Sequence, residues 1–263
     1  MLTSIFRGAG RPLLMPYAVG CYPDPDFCLE ILRTYVRRGA GIIEVGIPFS
    51  DPLADGPVIQ AASQVALRQG VRPIHVLDLV GQVAGEGARV VLLTYLNTIL
   101  ALGPECFFDQ CRDRGILGVV VPDLPVEEAT ELQTTARARA IDVILLAAPT
   151  STDARLARIA AAASGFIYCV STTGVTGART SLRSDLPEFV ARLRRHTDLP
   201  LAVGFGVSTA AQAATVASYA DGVIIGSALV DLISQSGSLD TAVARLGAYL
   251  DEVGAAMAAT PTF

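Results

Sequence analysis

Short apolar segments recur along this chain at nearly even intervals, and each one is followed by a stretch that is helical in pattern. A continuous apolar run is typical of a parallel strand that is buried on both faces. The pattern therefore predicts eight strands, which cover residues 13–19, 41–45, 89–94, 118–121, 142–146, 165–170, 200–204 and 222–225.

The segments between the strands predict helices of roughly 10 to 15 residues. They cover residues 26–38, 58–68, 74–84, 104–114, 126–139, 152–162, 182–196 and 209–219, and a last helix covers 239–257. Strands that alternate with helices form βαβ units and a parallel sheet. Eight such units in 263 residues favour a single (β/α)8 barrel, the TIM barrel, over an open doubly wound sheet. We expect one barrel domain over residues 1–263.

The composition supports a large core and excludes several classes of function. Apolar residues make up 51% of the chain, so one sizeable core can form. The net charge is −5 and the arginines are scattered, which excludes the basic stripe of a nucleic-acid surface. No apolar run approaches the roughly 20 residues of a membrane span, and the N-terminus lacks a signal-peptide pattern. The five cysteines form no Cys-x-x-Cys pair, so we expect a reducing cytoplasm.

Residue types that the sequence lacks exclude several catalytic strategies. The chain contains no lysine, so it cannot form a Schiff base with a substrate or with pyridoxal phosphate. Its two histidines, His75 and His196, lie in or beside charged helical segments and offer neither a zinc site nor a Ser-His-Asp triad. We therefore predict no metal site, and acid–base chemistry falls to carboxylates, tyrosines or bound water.

The segment 44–60 is the strongest candidate for chemistry. Glu44 stands at the end of a predicted buried strand, where a carboxylate has no structural role. Three prolines in the residues that follow exclude helix and central strand, which leaves a stiff loop that carries Asp55. A strand-end carboxyl group and a second one on a rigid loop can surround one small molecule. The alternative is that Asp51-Pro52 and Asp55-Gly56 are ordinary turns, or an N-cap of the next helix.

The active site of such a barrel lies at the carboxyl ends of its strands. These ends are predicted to collect two acids and three phenols, namely Glu44, Asp55, Tyr17, Tyr95 and Tyr168. Apolar side chains that would suit a flat, uncharged group come from the same end, and they are Phe49, Leu93, Val120, Tyr168 and Phe205. Ordinary core lining at the strand ends is the alternative interpretation of these apolar residues.

Three late loops that are rich in glycine and hydroxyl residues predict a phosphate site. They cover residues 171–177, 204–208 and 225–228, and Gly226-Ser227 resembles the start of a helix. The loops after strands seven and eight of such barrels often bind phosphate through backbone N–H groups, and a helix dipole supplies the positive field. One Gly-x-Gly alone is more often a turn. Taken together, the loops predict a substrate with a phosphate at one end and a flat apolar group at the other.

The sequence resembles a known family, the α subunits of tryptophan synthase, which are indole-3-glycerol-phosphate lyases. The resemblance spreads over nearly the whole chain. It rests on the long motif that runs from Glu44 to Pro57, on Tyr95-Leu-Asn97, on residues 122–128, on Gly174-Val-Thr176-Gly177, on Gly204-Phe-Gly206-Val-Ser208 and on Gly226-Ser227. It implies a retro-aldol cleavage of indole-3-glycerol phosphate to indole and glyceraldehyde 3-phosphate, which needs neither an amine nor a metal. The absence of lysine and of a histidine metal site fits that reaction.

The resemblance also implies roles for individual residues. Glu44 matches the acid–base group that acts at indole C3 and at the glycerol hydroxyl, and Asp55 matches the residue that handles the indole N–H. Thr176 matches a threonine of a loop that closes over the site. The phosphate would be held at Gly177, Gly206, Gly226 and Ser227, and the indole pocket would be lined by Tyr17, Leu93, Tyr95, Tyr168 and Phe205.

The family works with a β subunit that carries pyridoxal phosphate, so the resemblance implies that partner and no cofactor on this chain. The positions that would face the partner are Asp51, Pro52, Asn97, Asp123 and Pro125. The sequence departs from its relatives in the first loop, which reads Tyr17-Ala-Val-Gly-Cys-Tyr-Pro23, and the segment before the first strand is short. We therefore expect only a short N-terminal segment to cap the barrel.

Three other hypotheses remain open on the sequence. The chain could be a free-standing lyase that releases indole. It could be a non-catalytic subunit that binds the phosphate ligand and regulates a partner, although Glu44 and Asp55 argue against this. It could also be another phosphate-binding barrel of the same pathway, an isomerase or a synthase, and the lack of lysine disfavours the synthase.

Overall fold

A computed structural model describes residues 1–170, 184–204 and 206–260 of the chain. Its strands form a closed barrel in which each strand pairs in parallel with the next one, and β8 pairs with β1. The strands are β1 (Leu13–Val19), β2 (Ile43–Gly46), β3 (Val90–Leu93), β4 (Gly118–Val120), β5 (Asp142–Ala147), β6 (Ile167–Val170), β7 (Leu201–Gly204) and β8 (Gly222–Ile225). The predicted (β/α)8 barrel is confirmed.

Helices surround the barrel and complete the β/α units. In the described part of the chain they are α1 (Leu2–Ala9), α2 (Pro25–Arg37), α3 (Pro57–Arg68), α4 (Pro73–Gly85), α5 (Leu96–Leu102), α6 (Pro104–Asp113), α7 (Ala129–Arg137), α8 (Asp153–Ala162), α9 (Leu186–Arg194), α10 (Ala210–Ala217), α11 (Ser227–Ser234) and α12 (Leu239–Ala258). Helix starts follow ordinary rules. For example, the Asp24 carboxylate accepts from the Phe27 N–H, and Pro25 occupies the first turn of α2.

The sequence prediction does not include α1 or α5, and of α11 it gives only the start at Gly226-Ser227. Three predicted helices are distinctly shorter in the structure, and one of them, predicted over 209–219, extends only over α10. The helix predicted over 126–139 extends only over α7, and the one predicted over 182–196 is described as α9, with residues 182 and 183 outside the described part. The short capping segment is α1, which buries Leu2 and Phe6 and sets the Phe6 ring 5.4 Å from that of Phe166.

The core has two layers, and strand alternation assigns side chains to them. In β1, Leu13, Met15, Tyr17 and Val19 belong to the cluster inside the barrel, whereas Leu14 and Ala18 pack against the helices. In β2, Ile43 and Val45 belong to the outer layer and the preceding Ile42 to the inner one. Successive side chains of a strand point to opposite faces. The side chain of Glu44 therefore points into the barrel, near the carboxyl end of β2.

Candidate active site

Glu44 is the buried acid inside the barrel. It lies in register with Tyr17 of β1 on one side and Val91 of β3 on the other, and it is 1% exposed. Its Oε1 atom makes no hydrogen bond within the described residues. Burial, with the charge of Asp55 as a smaller cause, raises the pKa of Glu44 to about 8. An unpartnered polar atom in such a place is costly for folding, and it suits a group that receives its partner from a ligand.

Asp55 reaches the same space from the loop after β2. The Asp55 N–H donates to the Pro52 carbonyl at 3.0 Å, and the side chain of Gln60 donates to the Asp55 carbonyl at 2.9 Å, so the loop backbone is held on both sides. The N-cap of α3 is Gly56 and no side chain caps it, so Asp55 does not serve as a capping residue. Asp55 is 5% exposed, and its carboxyl group remains available for chemistry.

The hydroxyl group of Tyr95 donates to Asp55 Oδ2 at 3.0 Å. Burial raises the pKa of Asp55 to about 6, and this hydrogen bond acts in the opposite direction because it favours the carboxylate. Glu44, with a pKa of about 8, is therefore the protonated member of the pair near neutral pH, and Asp55 is the ionised one. Environments that separate the pKa values of two neighbouring acids are the usual way in which an active site assigns acid and base roles.

Two buried phenols complete the polar interior. Tyr17 is 4% and Tyr168 3% exposed, and burial raises the pKa of both well above the ordinary value, so both stay neutral. Each phenol lies against a glycine of the following strand, Tyr17 against Gly46 and Tyr168 against Gly204. A Cβ atom at either glycine would overlap the tyrosine hydroxyl. The glycines therefore make room for the phenols at the carboxyl ends of the strands.

These groups open on one cavity of about 380 Å³, a volume that includes the space open to solvent at its mouth. The cavity is lined by Tyr17, Glu44, Asp55, Ile59, Leu93, Tyr168, Gly206, Ile224, Gly226 and Ser227. This list includes both predicted acids, two of the three predicted phenols and three of the predicted phosphate positions. Ile59 and Ile224 were not predicted as lining residues, because a buried isoleucine carries no signal that separates cavity lining from ordinary core.

The side of the cavity formed by the last two β/α units suits an anion. Gly226 precedes α11, and the N–H groups of Leu229 and Val230 donate to its carbonyl at 2.9 and 3.1 Å, which starts the helix beside the cavity. The amino end of a helix carries a partial positive charge and N–H groups without intrahelical partners. Gly206 has φ +93°, a conformation that favours glycine. The helix start predicted at Gly226-Ser227 is confirmed.

Some predicted site residues lie elsewhere. Thr176, Gly177 and Phe205 fall outside the described residues. Tyr95 does not line the cavity, but its hydroxyl group is hydrogen-bonded to Asp55, which does. The ring of Phe49 stacks on that of Tyr95 with centroids 5.0 Å apart.

Comparison with known proteins decides the family. A family model described as tryptophan synthase alpha chain matches residues 5–258. The tryptophan synthase alpha chain of Roseiflexus sp. (strain RS-1) is 48% identical over 232 residues, which is 88% of this chain and 89% of that one. That of Gloeobacter violaceus is 51% identical over 222 residues, 84% of this chain and 80% of its own. The chain belongs to the tryptophan synthase alpha chain family.

Solved structures agree with this assignment. Tryptophan synthase from Mycobacterium tuberculosis matches with a TM-score of 0.89 and 40% identity, over 97% of both chains. The tryptophan synthase a2b2 complex of Pyrococcus furiosus matches with a TM-score of 0.87 and 35% identity, over 93% of this chain and 98% of that one. As a tryptophan synthase alpha chain, the protein is a lyase of tryptophan biosynthesis that cleaves indole-3-glycerol phosphate to indole and glyceraldehyde 3-phosphate.

The positions expected to face a partner lie beside the mouth of the barrel and differ in exposure. Asp51, Asn97 and Asp123 are exposed, Pro125 is half-buried and Pro52 is buried. The Asp123 carboxylate accepts from the Leu96 N–H at 2.9 Å, so it holds the start of α5 in place. Two exposed leucines belong to the same segments: Leu53, in the loop of Asp51, is 84% exposed, and Leu100, on the helix of Asn97, is 55% exposed.

Within the described residues, no three His, Cys, Asp or Glu side chains are grouped closely enough to hold a metal ion. In the same part of the chain, no helix has the length and apolarity that crossing a membrane requires.

Proposed function

We propose that Glu44 and Asp55 carry out the cleavage of indole-3-glycerol phosphate as an acid–base pair. The observation that supports this most directly is the pairing of two buried carboxyl groups of unequal pKa on one cavity, with a helix amino end at its other side. Such an arrangement holds a protonated and an ionised carboxyl group at once. A reaction that first adds a proton and later removes one needs both forms near neutral pH.

The reaction proceeds in two proton transfers. Glu44, as the carboxylic acid, donates its proton to indole C3, and the ring becomes a cationic indolenine. The Asp55 carboxylate accepts a hydrogen bond from the ring N–H and stabilises the positive charge. Glu44, now a carboxylate, takes the proton of the hydroxyl group on the glycerol carbon that is attached to the ring. The O–H electron pair forms the aldehyde, and the C–C bond pair returns to the ring, which leaves as indole.

The phosphate and the indole ring occupy opposite sides of the cavity in this proposal. Backbone N–H groups around Gly206, Gly226 and Ser227 hold the phosphate at the amino end of α11, and Gly177 contributes from outside the described residues. Tyr17, Leu93 and Tyr168 line the indole side. Thr176 and Phe205 are proposed to join them, and Tyr95 acts there through Asp55.

We further propose that this chain works as one barrel domain in the cytoplasm and docks on a tryptophan synthase β subunit. The solved structure from Pyrococcus furiosus is named as an a2b2 complex, and the exposed leucines beside Asp51 and Asp123 offer an apolar surface for such a partner. The chain itself needs no cofactor for the cleavage, and pyridoxal phosphate resides on the partner. No specific observation favours a free-standing or purely regulatory role.

The experiment that tests the proposal is indole release from indole-3-glycerol phosphate by the purified chain, with and without a tryptophan synthase β subunit. Slow release that rises steeply when β is added supports both the cleavage and the partner. Rapid release that β leaves unchanged supports the cleavage and contradicts the partner. No release under either condition, with the substrate still bound, contradicts the assignment of Glu44 and Asp55.

A further inference from the structure

One side chain from a neighbouring β/α unit holds the loop that carries Asp55. Tyr95 directly precedes α5, and its side chain is 3% exposed. Its hydroxyl group donates to Asp55 Oδ2 at 3.0 Å and accepts from the Ala54 N–H at 3.1 Å. Its ring stacks on that of Phe49 with an interplanar angle of 20°. Three residues of the loop after β2, namely Phe49, Ala54 and Asp55, therefore contact the side chain of Tyr95.

The direction of these hydrogen bonds depends on the charge of Asp55. A phenol has one proton to donate, and the Ala54 N–H already uses a lone pair of its oxygen. Burial and the nearby Asp55 raise the pKa of Tyr95, so the phenol keeps its proton and remains a donor. A carboxylate oxygen is the natural acceptor for that proton. The contact thus matches the ionised form of Asp55.

The anchoring of Tyr95 is independent of Asp55. The Leu96 N–H, in the first turn of α5, is bonded by the Asp123 carboxylate, and the Phe49 ring covers one face of the phenol. Because Tyr95 is fixed by these contacts, it can impose an orientation on the Asp55 side chain instead of following it.

We propose that Tyr95 is a positioning residue for the cleavage reaction, which orients the Asp55 carboxylate toward the substrate and keeps it ionised. This inference rests on the proposed function of Asp55 and deepens it. Tyr95 does not contact the reacting atoms and acts through Asp55 alone.

Burial raises the pKa of Asp55, and the hydrogen bond from Tyr95 lowers it. In the described part of the chain, the ionisable groups that interact with Asp55 are Glu44 on β2, Tyr17 on β1, Tyr168 on β6 and Tyr95. Glu44 is protonated near neutral pH, and the other two phenols are neutral. Within the described residues, the hydrogen bond from Tyr95 is the interaction that lowers the pKa of Asp55.

The test compares Tyr95→Phe with Tyr249→Phe as a matched control. Both substitutions remove a phenolic oxygen, but Tyr249 lies on α12, and its hydroxyl oxygen has no hydrogen-bond partner within the described residues. For Tyr95→Phe we expect kcat for indole release to fall about tenfold or more while KM changes less than about threefold. In the pH profile of kcat/KM, the fall on the acidic side (the acid limb) should move up by about one pH unit. The reason is that the Asp55 carboxylate loses a hydrogen bond that favours its charged form. The control should match the wild type.

A kcat and an acid limb of Tyr95→Phe that equal those of the wild type would overturn the proposal. If Tyr95→Phe proves poorly folded in thermal unfolding, Phe49→Leu provides a second variant that keeps the hydroxyl group and removes the stacked ring. It should shift the acid limb in the same direction by a smaller amount, and an unmoved limb counts against the proposal.

A titration of the Asp55 carboxyl carbon by 13C NMR separates this inference from the proposed function. If the wild type releases no indole, the proposed function fails, and the titration still reports on Tyr95. A higher apparent pKa of Asp55 in Tyr95→Phe than in the wild type supports the control of its ionisation by Tyr95. Equal apparent pKa values in the two proteins refute it.

Discussion

The phenol of Tyr17 lies against the backbone of Gly46, so that a methyl group at position 46 would overlap the tyrosine hydroxyl. The two residues sit on neighbouring strands, and Gly46 follows Glu44 at the next interior position of β2. The same relationship joins Tyr168 to Gly204 on β6 and β7. In both pairs the absence of a side chain on one strand leaves room for the phenol of the other beside the cavity. The cavity therefore owes its shape to two glycines that do not carry any chemistry.

Gly46→Ala tests this relationship. The new Cβ atom would displace the Tyr17 phenol, which lines the cavity, so we expect substrate affinity to fall about tenfold or more while the fold is retained. Isothermal titration with a non-cleavable indole-alkyl phosphate measures the effect. Gly254→Ala on α12 is the matched control, because a Cβ atom there meets no atom within 4 Å. Equal affinities in Gly46→Ala and the control would contradict the account of the pair.

The pH dependence of cleavage follows from the two carboxyl groups. Asp55 must be ionised and Glu44 protonated in the free enzyme, with pKa values of about 6 and about 8. We expect kcat/KM to fall below about pH 6 as Asp55 gains a proton, and to fall above about pH 8 as Glu44 loses one. The profile belongs to the pair as a coupled unit. A rate that keeps rising from pH 6 to pH 10 would show that Glu44 does not act as the acid.

If the phosphate binds at the start of α11, a negative charge at Ser227 should weaken substrate binding. Ser227→Asp places a carboxylate in the first turn of α11, where it interacts favourably with the helix dipole, so the fold should be unaffected. The same charge repels a phosphate at that helix end, and we expect affinity for the indole-alkyl phosphate to fall about a hundredfold or more. Ser227→Ala keeps the backbone N–H group and should lose far less. Unchanged affinity in Ser227→Asp would place the phosphate elsewhere.

If the partner covers the exposed side chain of Leu100, a charge at this position should weaken the docking of the β subunit. This side chain is 55% exposed on α5, so Leu100→Glu should not affect the stability of the isolated chain or its basal indole release. Burying a charge in an apolar interface is unfavourable, and the variant should require about tenfold more β subunit for half-maximal activation. Val36→Glu on α2 is the matched control, because it also places a carboxylate at an exposed apolar position of a helix. Identical activation curves for Leu100→Glu and the wild type would exclude this face from the interface.

The fold could be predicted from the sequence because a closed parallel barrel buries both faces of every strand. Each strand is therefore a continuous apolar run, and the predicted bounds differ from the observed ones by at most two residues. The helices α1 and α5 were not predicted because they have only eight and seven residues, and in neither does the N-cap residue bond the first turn through its side chain. In addition, α5 reads Leu-Asn-Thr-Ile-Leu-Ala-Leu, which is too apolar to show a polar face.

The site could be predicted only in part. Glu44 stands out because a carboxylate at the end of an apolar run has no structural explanation, and Asp55 follows on a stiff loop. The hydrogen bond from Tyr95 to Asp55 joins residues that are 40 positions apart, and it depends on the register of β2 against β3. No local pattern encodes that distance. The exposure of Leu53 could not be predicted either, because an apolar residue in the sequence predicts burial.

The most direct test of the central claim is the turnover of Glu44→Gln, measured together with its affinity for the indole-alkyl phosphate. Glutamine keeps the size of the side chain and cannot exchange a proton with indole C3 or the glycerol hydroxyl. The exposed Glu252→Gln on α12 is the matched control. We predict that kcat for indole release falls about a thousandfold or more while the dissociation constant changes less than about threefold. Turnover near that of the wild type, with the ligand bound equally well, would contradict the acid–base role of Glu44.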